Sequence, residues 1–298
     1  MARNHLVTSS RGVGLHALVK GEVQEWGGLT TEVIPGGKFI PIAYYARELL
    51  SSLGRVHSPP HIYIMAGIPD ITTLHKGFEF GKKYKECILL DSVENVVNRV
   101  KHNIDRCSNI VRNAGGTPIF CTITQMNLQK YNQHFLDHKQ TYTQHYTDQY
   151  STMQKDLDTI LQMLNEHIIS HNRNHNMATP HCHSALRKHR GRSGAGHYLT
   201  EYHLLYDGLH AHFDLENKEG KIIRKRWAKA IRGAIIKNFD SHCDDDAPSS
   251  PRPWRGEKRK FPTEWFFCLS VFICYLFCIT PFVAFCKKNK CHIICATW

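Results

Sequence analysis

A strand-like apolar run followed by a segment of helical spacing recurs along the first 239 residues, and this alternation constrains the fold more than any other feature. Residues 5–8 (HLVT) lead into SSRGVGL and a helix-like run through Val19. Residues 29–37 (LTTEVIPGG) set β-branched side chains ahead of two glycines, the mark of a strand entering a tight turn. IPIAYYARELLSSLG then carries apolar residues at helical spacing until Gly54 stops it. HIYIMAGIPDIT, residues 61–72, is a continuous apolar run, the pattern of a strand buried on both faces of a parallel sheet. Residues 91–113 repeat Val and Ile at three and four residues and predict an amphipathic helix, ended by Gly115 and Gly116. TPIFCTIT is the next strand, residues 152–169 the next helix and residues 222–239 the last.

Strand then helix, repeated, predicts an α/β fold with an open parallel sheet and helices on both faces. Ligands in such sheets bind outside the carboxyl ends of the strands. TSSRG, PGGK and AGIPD fall at such ends, and DGLH falls in a later loop. No internal repeat is visible.

Those four segments hold the parts of an acyl-transfer site. Such a site needs a nucleophile, a base, an orienting carboxylate and donors for the developing oxyanion. His210 suits the base and Asp207, three residues earlier, suits the carboxylate that fixes its tautomer. Ser10, or its neighbour Ser9, supplies the hydroxyl, and the backbone N–H groups near Ser10 and Gly36 are candidate oxyanion donors. Each residue also has a plain alternative. His210 is one of 21 histidines, Ser10 is placed to cap a helix, and Gly36 with Gly37 makes a turn.

The order of these segments resembles the SGNH (GDSL-type) serine esterase superfamily, whose members use a flavodoxin-like three-layer α/β sandwich. The family's successive motifs appear here as Thr8-Ser9-Ser10, Gly36-Gly37, Gly67-Ile68-Pro69-Asp70 and Asp207-Gly208-Leu209-His210, across roughly residues 5–239. The resemblance implies Ser10, His210 and Asp207 as the catalytic residues and Gly36 with Gly37 as oxyanion residues, with no cofactor. More narrowly, SSRGVGL, VIPGGKF and IYIMAGIPDIT resemble esterase-like domains encoded by retrotransposons with tyrosine recombinases. Two positions depart from the family. Ser9 replaces an Asp that is not the nucleophile. Pro69 replaces the Asn whose side chain donates to the oxyanion, and proline has neither that amide nor a backbone N–H. Losing one such donor costs about 10²–10³ in turnover. A catalytically inactive binding module on the same fold is therefore the alternative reading.

The chain carries a formal charge of +12, much of it in residues 221–237 and 252–260. Such charge suits an acidic partner, but no nucleic-acid-binding signature accompanies it, so nucleic acid enters only as the partner of a mobile-element accessory protein. The cysteines before residue 250 are scattered without a CxxC pair, which argues against a disulfide scaffold and a four-cysteine zinc site. His167, His171 and His175 recur every four residues, with His181, Cys182 and His183 nearby, a spacing that zinc ligands share. With no HExxH and a polar SHNRNHN stretch, a solvated histidine-rich segment is the better expectation.

Residues 240–264 read as a flexible charged linker. Residues 265–286 then run 22 positions without a charge, about 33 Å of helix, enough to span a bilayer core. Residues 287–298 form a short Cys-containing tail. Basic residues are denser before the apolar run than after it, and residues 1–12 have no apolar signal segment. The expectation is a tail-anchored protein with its body in the cytoplasm, acting on an ester-bearing small molecule, lipid or glycan.

Overall fold

A computed structural model describes residues 3–54, 58–79, 81–138, 142–143, 146–189, 198–243, 284–287 and 290–293. It divides into two units, 1–246 and 247–298.

In the first unit the order is β1 (Asn4–Thr8), α1 (Leu15–Val19), β2 (Leu29–Val33), α2 (Phe39–Ser52), β3 (His61–Met65), α3 (Ile68–Ile71), β4 (Thr72–Glu79), β5 (Lys82–Leu89), α4 (Val93–Asn113), β6 (Thr117–Phe120), α5 (Leu128–His138), β7 (Tyr142–Thr143), α6 (Tyr150–Asn174), β8 (Arg187–His189), β9 (Tyr198–Thr200) and α7 (Lys218–Cys243). In the second unit, β10 (Ala284–Lys287) and β11 (Lys290–Ile293) pair antiparallel.

The central sheet is parallel, in the order β2-β1-β3-β6. Alternation along its strands divides the core into two layers. Val7, Ile62, Ile64 and Phe120 point to one face, where α2, α4 and α6 bring Ala43, Val100 and Leu164. Leu6, Tyr63, Met65 and Ile119 point to the other, against Leu15 of α1 and Trp227 of α7. Burial on both faces is why these strands read as apolar runs rather than alternating ones.

Several expected boundaries move. HIYIMAGIPDIT is not one strand: β3 ends at Met65, Gly67 sits at φ +123°, and α3 intervenes before β4. β4 then pairs antiparallel with β5, a hairpin absent from the sequence reading. The last helix runs to Cys243, so the expected linker begins within it. Residues 244–283 lie outside the described residues, including most of the apolar run 265–286. Its last residues, Ala284, Phe285 and Cys286, lie in β10 rather than in a helix. Among the described residues no helix is long and apolar enough to cross a membrane.

Four asparagines bracket backbone residues with both amide atoms. On α6, Asn165 accepts from Ile123 N–H (2.6 Å) and donates to Ile123 O (3.0 Å). Asn172 does the same at Phe120 (3.1 and 2.8 Å). Seven helical residues rise about 10.5 Å, which spaces the two amides to meet the last residue of β6 and Ile123 beyond it. Asn132 of α5 brackets Cys87 (2.7 and 2.9 Å), and Asn238 of α7 brackets Ala178 (2.6 and 3.4 Å).

Candidate active site

The crevice at the ends of β1 and β3 is the topological switch point of the sheet, since the chain passes to opposite sides from these two neighbours. The backbone stitches the crevice together. Ser9 N–H donates to Met65 O (3.0 Å) and Ile34 N–H donates to Thr8 O (2.7 Å). Past β1 the chain tightens into a 3-10 turn, Ser10–Gly12, packed directly on Thr8. A Cβ on Gly12 would lie 1.9 Å from Thr8 Cγ2, so only glycine closes this turn. Ser10 stands at its start, and its N–H has no carbonyl within the turn to bond.

Residues 207–210 form the opposite wall. Asp207 Oδ1 accepts the N–H groups of Leu209 (2.8 Å) and His210 (2.7 Å), which folds the segment back on itself. Gly208 takes φ +86°, and a Cβ there would sit 2.6 Å from Asn127 O. The left-handed angle and the close approach both require glycine. Asp207 Oδ2 lies 2.7 Å from His210 Nδ1, and His210 Nε2 lies 2.8 Å from Ser10 Oγ. A carboxylate only accepts, so Nδ1 carries the proton and Nε2 is left to accept from the Ser10 hydroxyl. Burial alone would raise the Asp207 carboxyl, but the His210 ring and the two backbone N–H groups hold it below its ordinary value. It stays charged, as an orienting group must.

The glycines expected as oxyanion donors divide. Pro35 and Gly36 form the middle of a turn, with Gly36 at φ +67°, and Gly37 N–H closes it on Ile34 O (2.9 Å). Gly37 therefore has its donor committed, which corrects its place among the oxyanion residues. Gly36 is exposed, and its N–H has no partner among the described residues. Pro69 lies in the first turn of α3. The following Asp70 is buried, with Phe39 N–H at 3.1 Å on Oδ2 and Asn103 Nδ2 at 3.4 Å on Oδ1. Asp70 thus fastens the start of α2 to the loop after β3. Burial pushes its carboxyl up to about 6, against the pull of those hydrogen bonds.

Two contributors escaped the sequence reading. Arg11, between Ser10 and Gly12, is buried and donates to Thr124 O (2.8 Å) and Gln125 O (3.1 Å). Burial pushes its guanidinium down to about 9, with Asp207 pulling the other way. A charged residue inside a loop of small ones was the available signal. Arg224 of α7 donates to His212 O (2.6 Å) and Asp214 O (2.9 Å), clamping the loop that follows His210. Beside the Ser10–His210 pair opens a cleft of about 280 Å³, with Val13, Tyr206 and Phe213 on its apolar side.

The histidine-rich stretch splits between helix and loop. His167 lies 3.3 Å from Asp105, and His171 packs edge-on against Phe120 with ring centroids 5.1 Å apart. Burial first and His175 second push His171 down to about 4. It is thus partly a packed element rather than only a solvated one. Among the described residues no group of three His, Cys, Asp or Glu side chains is placed to hold a metal ion. Cys87, Cys107, Cys121 and Cys182 are buried free thiols.

No family model and no curated protein matches the sequence. Among solved structures, the chain is similar to a provisionally assigned acylhydrolase from Bacteroides fragilis. The TM-score is 0.47 at 14% identity, over 79% of this chain and 87% of that one. It is also similar to a GDSL-like lipase from Bacteroides thetaiotaomicron (0.45, 14%, 78% and 87%). A third is a provisionally assigned lipolytic protein of the G-D-S-L family from Desulfitobacterium hafniense (0.41, 10%, 76% and 99%). Likenesses at this level carry no chemistry. That rests on the side chains above.

Proposed function

We propose that this chain is a serine hydrolase of the SGNH type that cleaves a carboxylic ester. The observation that carries the reading is the unbroken hydrogen-bonded line from Ser10 Oγ through His210 to Asp207. Ser10 Oγ attacks the carbonyl carbon as its proton passes to His210 Nε2, and Asp207 stabilises the imidazolium. The carbonyl oxygen takes the negative charge beside the N–H groups of Ser10 and Gly36. His210 returns the proton to the leaving alcohol, and water repeats the sequence on the acyl-enzyme. Val13, Tyr206 and Phe213 offer an apolar wall to the acyl group; lipid, acetylated glycan and simple acyl esters all fit this chemistry.

A fluorophosphonate probe tests the reading. The wild type labels and Ser10→Ala does not; a folded wild type that resists labelling overturns it. Pro69 favours a second reading, a binding module on the same fold whose turnover has been lost with the oxyanion amide.

We also propose that the charge-free run of residues 265–286 attaches the protein to a membrane, with the body on the cytoplasmic side as the preceding basic residues favour. Full-length protein should resist carbonate extraction, and its body should be open to added protease. Release into the soluble fraction refutes the attachment, and a protected body refutes the orientation.

A further inference from the structure

A cleft of about 840 Å³, larger than the one at His210, lies away from Ser10, between the end of α6, the segment 176–187 and one side of α7. It shares no lining residue with the cleft at His210. Arg226, Lys229, Gly233 and Lys237 recur at three and four residues and so line one stripe of α7. Ile223, Trp227, Ile231 and Ile235 on its other side are fully buried. The stripe is held in place by the core behind it.

The charge in this cleft is one-sided. Arg226 is paired with Glu201 (2.7 Å) and contributes little net field. Arg173, Arg187, Lys229 and Lys237 are exposed and have no carboxylate partner among the described residues. No described Asp or Glu lines the cleft. Two neighbouring imidazoles register the field. Burial lowers His181 and His183 first, and the charges of Lys237 and Arg187 respectively lower them further. Like charges gathered around one hollow repel one another and are relieved by an anion between them.

We propose that this cleft binds the phosphodiester backbone of a single-stranded nucleic acid, without sequence preference. The four cations are rooted on three elements, Arg173 on α6, Arg187 on β8 and Lys229 with Lys237 on α7. Lys229 and Lys237 are rooted about 12 Å apart along the α7 axis, two turns of helix, so the positive charge is drawn out along the groove. A strand of spaced phosphates reaches all four. On the α7 side, Ala230, Gly233 and Ala234 line the cleft between the charged residues, and these small residues let a sugar–phosphate chain approach the helix closely. No Phe, Tyr or Trp lines it and His181 is its one ring among the described residues, so base stacking contributes little and the backbone carries the contact. A volume in the range of small-ligand clefts suits one strand rather than a duplex. The proposal stands independently of the hydrolase reading.

Fluorescence anisotropy of the full chain with oligothymidylate and oligoadenylate across a salt series tests it. Both should bind alike at low salt, and four released counterions give a log–log slope of about −2.8. Lys229→Gln with Lys237→Gln should flatten that slope by about 1.4 and weaken binding on the order of tenfold near physiological salt. Gly233→Glu, at a position with open space around a Cβ, should abolish binding without disturbing the core. Lys155→Gln on α6, outside the cleft, should change nothing. Absence of binding at low salt overturns the proposal. So does a slope unchanged in the double variant, which moves binding to another basic run such as residues 252–260. Vesicle capture that depends on phosphatidylserine and is weakened by the Lys229→Gln, Lys237→Gln pair, without oligonucleotide binding, also overturns it, in favour of a lipid surface.

Discussion

Ser10 Oγ lies 2.8 Å from His210 Nε2, although 200 residues separate them in sequence. The contact is made by the sheet and α7 together, one placing the turn after β1 and the other clamping the loop after His210 through Arg224. Asp207→Asn tests how that contact works. An asparagine Oδ1 still accepts from Leu209 and His210 N–H, so the loop keeps its shape. Its amide, however, donates to His210 Nδ1 and forces the proton onto Nε2, where the ring no longer accepts from Ser10. Ester turnover should fall by about 10⁴ while the melting temperature barely moves. An equal loss of both would mean that Asp207 serves the loop alone.

Pro69→Asn restores an amide where the resemblance places the missing oxyanion donor. If the wild type turns over through Ser10 and Gly36 alone, the variant should hydrolyse p-nitrophenyl acetate about 10²-fold faster. Activity found only in the variant identifies the natural chain as a binding module.

Arg11→Met should destabilise the body by roughly 3 kcal/mol, read from urea midpoints, because it strands the carbonyls of Thr124 and Gln125. Arg11→Lys should recover only part of this, since an ammonium lacks the fork that reaches two carbonyls at once.

Stability should fall as pH rises through the titration of Asp70. Its folded value of about 6 exceeds the ordinary 3.8, so between the two the native state holds the extra proton. The contribution is complete below about pH 4 and lost as pH climbs past 6, on the order of 3 kcal/mol in all. Asp207, held low, has the opposite sign and weakens the fold only at more acid pH. Asp70→Asn should flatten melting temperature against pH between 4 and 6. An unchanged profile would assign the slope to another group.

β1, β3 and β6 were legible because burial on both faces writes itself as apolar runs, and β2 because β-branched residues precede two glycines. Ser10 stood out because it follows β1, and Asp207 with His210 because a carboxylate and an imidazole three residues apart around a glycine stand out in a loop; the fold brings the three side chains together. The β4–β5 hairpin was not, because Gly77 interrupts its pattern. In the structure Gly77 lies opposite Tyr84, and a Cβ there would be 2.3 Å from the Tyr84 hydroxyl. The ring fills what reads as a gap. Arg11 stood out only as a charge inside a loop of small residues; its partners are backbone carbonyls, which no side-chain pattern names. Gly37 was misassigned because a glycine pair does not say which N–H the turn consumes.

The asparagine brackets have a consequence for how copies of this protein meet. β6 ends the sheet, and an open edge offers its backbone to any strand that approaches. Asn172 occupies that backbone at Phe120, the last residue of β6, and Asn165 continues the seal at Ile123 beyond it, so the end of the edge is closed from within by side chains. Replacing both with leucine would leave α6 apolar enough to pack but unseal the edge. Such a protein should fold and then aggregate edge to edge, with thioflavin fluorescence rising in concentrated solutions where the wild type stays clear.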